Sequence, residues 1–424
     1  MSFDEFNDFV RKNLKWNLTF NILDGSSFLL GMVLVAFDTV LPVFIRRLGG
    51  SNFLVGLLPA IFILSTNILP LAIANYTERI ERRKKLVLAL GTFMRAPWMV
   101  LAVLCALFGS QYPSLLIGMT VVCFVLFSIG AGLVYTPWLD MVLTMIPVNV
   151  RGRMASGRTI GGFGMGILGG LAVTHILKSV PFPYSYSILF GLGFVFMMLA
   201  VLFIGLLREP VYPKRTEHKT LKQYFSALPS IIKGNGNFLY FIVVRMLLTI
   251  GIAIGGFYSV FAVEHYNLDE SYAGVFTTIG VVTAMGASYF LGLLGDRFGH
   301  KINCVIGCIS IVAACALSIW PPPLFLYYTV FVLRPITHCV MIISAMNIVV
   351  EFCKPQEQPT YIALSQALSA PAALLMLGAG FLADTMGFTW LFSCVGILAL
   401  AGTLVAAFAF KDPRVDSRNA RHNA

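Results

Sequence analysis

Gly292-Leu293-Leu294-Gly295-Asp296-Arg297-Phe298-Gly299-His300-Lys301 sits between two long apolar runs in the second half of the chain. A degenerate copy, Ala74-Asn75-Tyr76-Thr77-Glu78-Arg79-Ile80-Glu81-Arg82-Arg83-Lys84, occupies the matching place in the first half. Each is an acid followed by arginine, with more basic residues two to five positions on. The acids Glu78 and Asp296 are 218 residues apart, about half of the 424-residue chain. Ser51-Asn52-Phe53-Leu54-Val55-Gly56 and Ser271-Tyr272-Ala273-Gly274-Val275-Phe276 form a weaker echo upstream of each copy. The chain therefore reads as an internal repeat.

The runs around these loops are apolar throughout. Hydrophobic residues make up 58% of the chain and charged ones 12%, with a mean hydropathy of +0.84. A soluble domain carries about 25% charged residues, so the apolar excess has to face lipid. The 35 phenylalanines and 38 glycines suit lipid-facing surfaces and close helix contact respectively. A spanning helix needs about 20 mainly apolar residues. This predicts twelve spans, near 18–43, 53–74, 86–108, 115–138, 159–178, 185–207, 238–262, 272–293, 303–320, 324–347, 361–383 and 388–410. The expected fold is an all-α membrane protein of two pseudo-symmetric six-helix halves, 1–207 and 238–424, with a basic linker over 208–237. In that linker Tyr224, Phe225 and Leu228 fit an amphipathic helix lying on the membrane. The first ten residues carry Asp4, Glu5 and Asp8, unlike the basic start of a signal peptide. The first span is expected to direct insertion. Phe3, Phe6 and Val10 mark either a short interfacial helix or an unstructured tail.

Basic residues set the orientation. With both termini cytoplasmic, 24 of the 30 Lys and Arg lie inside. Three lie outside (Arg46, Arg47, Lys178) and three within spans (Arg95, Arg245, Arg334). The net charge of +11 thus faces anionic membrane lipid and calls for no nucleic acid. A multi-pass protein of the cell's inner membrane is expected. The eight cysteines lie almost wholly in apolar runs, Cys304 and Cys308 on one helix face, and read as small packing residues. No spacing resembles a metal site, and no cofactor is expected.

The paired loops resemble the signature of the major facilitator superfamily, Gly-x-x-x-Asp-Arg-x-Gly-Arg-Arg. The second copy keeps its acid, arginine and glycine positions; the first has Ala74, Glu78 and Glu81 at its Gly, Asp and Gly positions. With twelve spans, a central loop and inside termini, the resemblance covers essentially the whole chain. It implies a secondary transporter. It also implies a conformational latch, in which Glu78, Arg79, Arg82, Arg83 and Asp140, with Asp296 and Arg297 in the second half, hold the outward-open state. The alternative is that these charges only set topology. Pro147 to Arg153 resembles the family's loop after span four, whereas the equivalent near Lys354 to Glu357 lacks the arginines. Gly162, Gly166 and Gly170 recur every four residues in span five as a close-packing face. The Gly-Pro motif of drug exporters is absent there, since Ile167 follows Gly166.

A charge at mid-bilayer is costly, and its presence points to function. The resemblance makes spans 1, 4, 7 and 10 line the cavity. Span 1 holds Asp24 and Asp38, about 21 Å apart along a continuous helix and so unable to serve one small site. Asp24 is the buried candidate, Asp38 a solvated vestibule charge. Span 4 offers Tyr135 and Trp138 around Pro137, span 7 Arg245, and span 10 Arg334 with His338 one turn on. Asp24 and Arg245 fall at similar depths in equivalent spans: either they pair across the cavity, or Arg245 snorkels to the inner surface. Arg95 is expected to be structural, with Asp140 as its partner. His175 and His265 are expected to be solvated. The substrate and coupling set is thus Asp24, Tyr135, Trp138, Arg245, Arg334 and His338.

These features point to alternating-access transport of a small organic solute, anionic or zwitterionic, coupled to protons through Asp24 and His338. His titrates near working pH unperturbed. A monomer is expected. A uniporter of the same fold, a transport-dead membrane sensor and a membrane-embedded enzyme are the alternatives. The last requires a clustered nucleophile, metal or acid–base pair that the sequence does not offer.

Overall fold

The computed structural model describes residues 3–211, 236–353 and 358–413. The linker helix expected around Tyr224, and Lys354 to Glu357, lie outside these residues, as do the side chains of Glu78 and Arg79. Among the described residues, twelve helices are long and apolar enough to cross a membrane.

The helices are α1 Phe3–Leu34, α2 Val40–Arg47, α3 Asn52–Arg79, α4 Lys84–Phe108, α5 Pro113–Met145, α6 Val148–Ser179 and α7 Tyr184–Leu206. The second half has α8 Gly236–Ala253, α9 Gly255–His265, α10 Tyr272–Phe298, α11 Lys301–Ile319, α12 Leu324–Val340, α13 Met346–Glu351, α14 Gln358–Ser369, α15 Ala372–Thr385 and α16 Phe388–Leu404. A π turn over Met341–Ala345 joins α12 to α13, and another, Val405–Ala409, extends α16.

These elements gather into two compact units. The first comprises Met1–Gly50, Leu64–Thr220 and Asp269–Thr278; the second comprises Ser51–Ile63, Leu221–Leu268 and Ile279–Ala424. The two echoing segments of the repeat, at the starts of α3 and α10, each belong to the unit built mainly from the other half of the sequence.

In the first unit α1 packs on α6 and α7, and α4 on α5 and α7. Lipid gives apolar faces no reason to leave it, so small residues and dispersion have to hold such helices together. Gly31 and Gly193 let α1 and α7 touch backbone to backbone. Trp98, Phe127, Phe124, Phe190, Tyr186 and Phe44 form a continuous ring cluster with centroids 4.7–5.8 Å apart. At one end Val87, Met141, Met145, Ile146, Ile204 and Leu207 close a fully buried core. The segment Asp269–Thr278 lies on this unit. Gly274 sits where any Cβ would collide with Thr174, and Thr39 and Thr277 hydroxyls meet at 2.5 Å.

In the second unit α11 packs on α16 and α12. Tyr258 stacks on Phe392 at 5.0 Å, and Phe261 meets Phe392 edge-on. The start of α3 seats here on α15. Gly56 lies against Gly380, and Asp384 accepts the first free amides of α3, Asn52 N–H and Phe53 N–H, each at 2.8 Å. A carboxylate is favoured at those orphan amides by both hydrogen bonding and the helix dipole. Gly299, the glycine of the quoted motif, ends α10 at φ +88° with its amide on Gly295 O. There a Cβ would strike the Asp412 carboxylate. This is a positional reason for glycine that the first copy, ending at Arg79, does not share.

Several helix bounds differ from the spans expected. The first helix begins at Phe3 rather than near residue 18, so Phe3 to Val10 is neither a separate interfacial helix nor a tail. Its polar start is fixed by tertiary contacts: Trp16 Nε1 donates to Leu206 O, and Asn17 Nδ2 to Arg208 O. The Arg208 amide donates to Asn17 Oδ1, and its guanidinium lies over Trp16. Regular helix stops after Leu34 and resumes at Val40, so Asp24 and Asp38 do not share one continuous stripe. The fifth span starts at Val148 with Pro147 before it, so Arg151, Arg153 and Arg158 are helical, not loop, residues.

Candidate functional site

Asp24 is 2% exposed, on the face of α1 turned to α6. Its partner is Arg158 of α6, with Nη1 2.7 Å from Asp24 Oδ2. The same guanidinium nitrogen donates to Asn21 O at 2.5 Å and Asn21 Oδ1 at 2.8 Å, and the group lies 5.0 Å from the Trp138 ring centroid. Glycine makes this approach possible. A Cβ on Gly25 would lie 2.7 Å from the Arg158 guanidinium, and one on Gly157 would strike Ile22. Tyr135 stands 6.3 Å from Trp138, ring to ring, and is exposed. Arg95 is a second buried cation near Asp24: it donates to Gly91 O at 2.7 Å and lies 5.1 Å from the centre of the Phe28 ring.

The structure thus corrects two expected pairs. Asp24 is bound to Arg158, within the first unit, and not to Arg245. Asp140 is bound to Arg83, not Arg95. Arg158 was hidden because it closes a basic run that reads as a topogenic loop. The signal that pointed to it was chemical: a carboxylate as deep as Asp24 needs a cation, and the glycines of α1 and α6 mark where one can approach.

In the second unit Arg245 is 8% exposed and donates from Nη1 to Ser365 Oγ at 3.2 Å. Arg334 of α12 is half-buried, its guanidinium laid against Gly255 at the break between α8 and α9, where a Cβ would collide with it. His338, one turn on, is exposed. Thus Asp24, Trp138 and Tyr135 are brought together in one unit, and Arg245, Arg334 and His338 all belong to the other. His175 and His265 are exposed, as expected.

Of the seven latch residues, the structure joins Arg83 and Asp140, with Nε and Oδ2 3.0 Å apart and Arg83 buried. Arg82, Asp296 and Arg297 are exposed. Glu209 gave no signal in the sequence. Its carboxylate accepts Arg83 N–H at 2.7 Å and Lys84 N–H at 3.0 Å, capping α4, while Lys84 Nζ donates to Leu207 O. Burial nevertheless pushes the Glu209 pKa above the usual carboxylate range, against the opposing pull of those amides and Arg83. Another pair that the sequence hid is Arg47 Nε to Glu270 Oε1 at 3.0 Å, beside the fully buried Tyr186. Burial raises the Glu270 pKa too, with the Tyr186 hydroxyl and Arg47 opposing and Asp269 reinforcing the shift.

The model of the Major Facilitator Superfamily matches residues 23–369 and 246–424. A solved variant of the nucleoside transporter NupG is similar at a TM-score of 0.74 and 12% identity, covering 94% of this chain and 100% of that one. A D-xylose–proton symporter is similar at 0.69 and 13%, covering 93% and 98%. A bacterial homologue of the human lysosomal transporter Spinster is similar at 0.68 and 14%, covering 94% and 97%. No curated protein matches the chain in sequence.

Proposed function

The chain belongs to the Major Facilitator Superfamily and has its transporter fold, and on that premise we propose that it carries a small anionic or zwitterionic solute by alternating access, coupled to protons. The observation that carries this reading is the Asp24–Arg158 pair at membrane depth. An ionised carboxylate and a guanidinium there hold one another in place, because either alone is costly. Protonation of Asp24 removes its charge and frees Arg158, which then stands at the Trp138 face as a fixed cation. An anionic group on the solute takes the place of the Asp24 carboxylate. Proton and solute thus act on one guanidinium, which is the coupling free energy a symporter needs. A D-xylose–proton symporter among the structural neighbours supports proton coupling on this fold.

Tyr135 and Trp138 supply the aromatic wall of this site. Arg245, Arg334 and His338 are the solute contacts of the second half. His338 adds an imidazole, which can donate or accept a proton. Arg83 and Asp140 form the inner latch, with Glu78, Arg79 and Arg82 of the same loop and Asp296 and Arg297 of its repeat. The protein works as a monomer in the cell's inner membrane with both termini cytoplasmic, as two halves, 1–207 and 238–424, joined by the basic linker 208–237. A uniporter is the second reading, and it holds if Asp24 stays ionised throughout.

The test is proton movement in proteoliposomes containing an entrapped pH-sensitive dye. External addition of a carried organic anion acidifies the lumen with wild-type protein and leaves it unchanged with Asp24→Asn. Solute uptake with no proton movement selects the uniporter. No uptake of any solute contradicts transport.

A further inference from the structure

Arg245 has no acidic partner among the described residues. It is at least nine-tenths buried, at 8% exposure, in a span of the second unit. Guanidinium offers five N–H donors and cannot lose its charge. One donor reaches Ser365 Oγ at 3.2 Å, and Nε is buried with no hydrogen-bond partner. Ser365 Oγ accepts that bond while its own hydroxyl donates to Ile362 O at 2.8 Å, so the cation meets a neutral oxygen and no opposite charge. The described carboxylates of this unit, Glu264, Asp296, Glu351, Asp384 and Asp412, all stand at helix ends or in turns, and none pairs with Arg245. The contrast with the first unit is direct: there Arg158, although less buried at 19% exposure, has Asp24 at 2.7 Å.

A buried guanidinium with one neutral contact is destabilising as it stands. We propose that Arg245, steadied by Ser365, is the seat for an oxyanion group, carboxylate or phosphate, of the carried solute. This deepens the transport reading and rests on it for the identity of the ligand. The guanidinium fork matches an oxyanion in bidentate geometry, which a lysine does not reproduce. Ser365 aligns the group from α14 through Nη1, leaving its other nitrogens for the ligand. The same arrangement makes Arg245 a cost to the empty protein and a gain to the loaded one, as expected of a binding residue kept for function.

Thermal melting of the purified full-length protein tests this, with lactate, succinate, benzoate and inorganic phosphate as probes and lactamide, succinamide and benzamide as neutral controls. A ligand that binds only the folded state raises the melting temperature. At least one oxyanion is expected to stabilise the wild type, and its neutral counterpart is not. Arg245→Gln should melt about 2–4 °C higher than wild type without ligand and should need at least about tenfold more oxyanion for the same response. Arg245→Lys should melt near the wild type yet respond more weakly. Glu270→Gln, in the first unit, should keep the oxyanion response. A glutamine variant that melts lower shows that the cation has a structural partner and overturns the proposal. So does an undiminished oxyanion response in that variant, or a wild type that no probe stabilises. Flux separates this from the transport reading. Arg245-dependent stabilisation in a protein that moves nothing leaves the site and removes the carrier, whereas flux of a neutral solute indifferent to Arg245→Gln leaves the carrier and removes the site.

Discussion

Removing either partner of the Asp24–Arg158 pair should cost far more than half of removing both. The gross attraction of unit charges 2.7 Å apart is about 6 kcal/mol at an effective dielectric of about 20, most of it offset by desolvation. Breaking a buried pair on one side typically costs about 3–5 kcal/mol, because a charge is stranded. Two features place Asp24→Asn at the low end. The Arg158 side chain is 19% exposed, and Asn21 and Trp138 continue to hold its guanidinium. A loss of about 3 kcal/mol is therefore expected, or a drop of about 6 °C in melting temperature at about 2 °C per kcal/mol for a large domain. Arg158→Gln strands Asp24, which is 2% exposed, and should cost at least as much. In the double variant neither charge remains, so it should be no worse than the milder single variant, giving a coupling of at least about 3 kcal/mol. Melting of the four proteins in one detergent at one pH measures this. Additivity within about 0.5 kcal/mol would refute the pairing.

Gly25→Ala places a methyl where the Arg158 guanidinium now lies. Because that is the tip of a flexible side chain, stability should fall by only about 1 kcal/mol, while proton-coupled uptake should be lost; normal uptake would show that the alignment is immaterial. Asp140→Asn strands the buried Arg83. It should cost about 2 kcal/mol and shift cysteine labelling towards the inward-open state; unchanged labelling at both membrane faces would reduce these charges to topology. Glu270 has its pKa raised by burial beside Tyr186. The folded state therefore holds this proton more tightly than the unfolded chain, so its contribution is full below the ordinary carboxylate value and is lost as pH rises through the raised one. Melting temperature followed from about pH 4 to 8 should fall over that window in the wild type, and Glu270→Gln should remove that component.

The architecture was legible because lipid imposes it: segments of about 20 apolar residues have few alternatives to spanning, and all twelve were visible. The repeat was legible in two loops through the acid–arginine pairs Glu78-Arg79 and Asp296-Arg297, and Gly299, at a left-handed backbone position, marks the second copy alone. Asp24 could be read because a carboxylate within a span is costly. Its partner could not. Arg158 reads as one more positive-inside charge until α6 is known to start at Val148. Pairing across the repeat favoured Arg245 for Asp24 on depth alone, but depth does not report which helix face is turned to which neighbour. The long start of α1 follows from contacts with Leu206 and Arg208, far away in sequence. Glu209 and Glu270 lie in connecting segments, where charge is ordinarily solvated and gives no signal.

The central claim is that Asp24 carries the proton that drives uptake. Exchange and net accumulation, measured side by side in proteoliposomes containing Asp24→Asn, test it most directly. A variant fixed in the neutral state at that position should still exchange internal for external labelled solute. It should fail to concentrate that solute when an inward proton gradient is imposed, while the wild type does both. Uphill accumulation by Asp24→Asn at the wild-type level would contradict the claim.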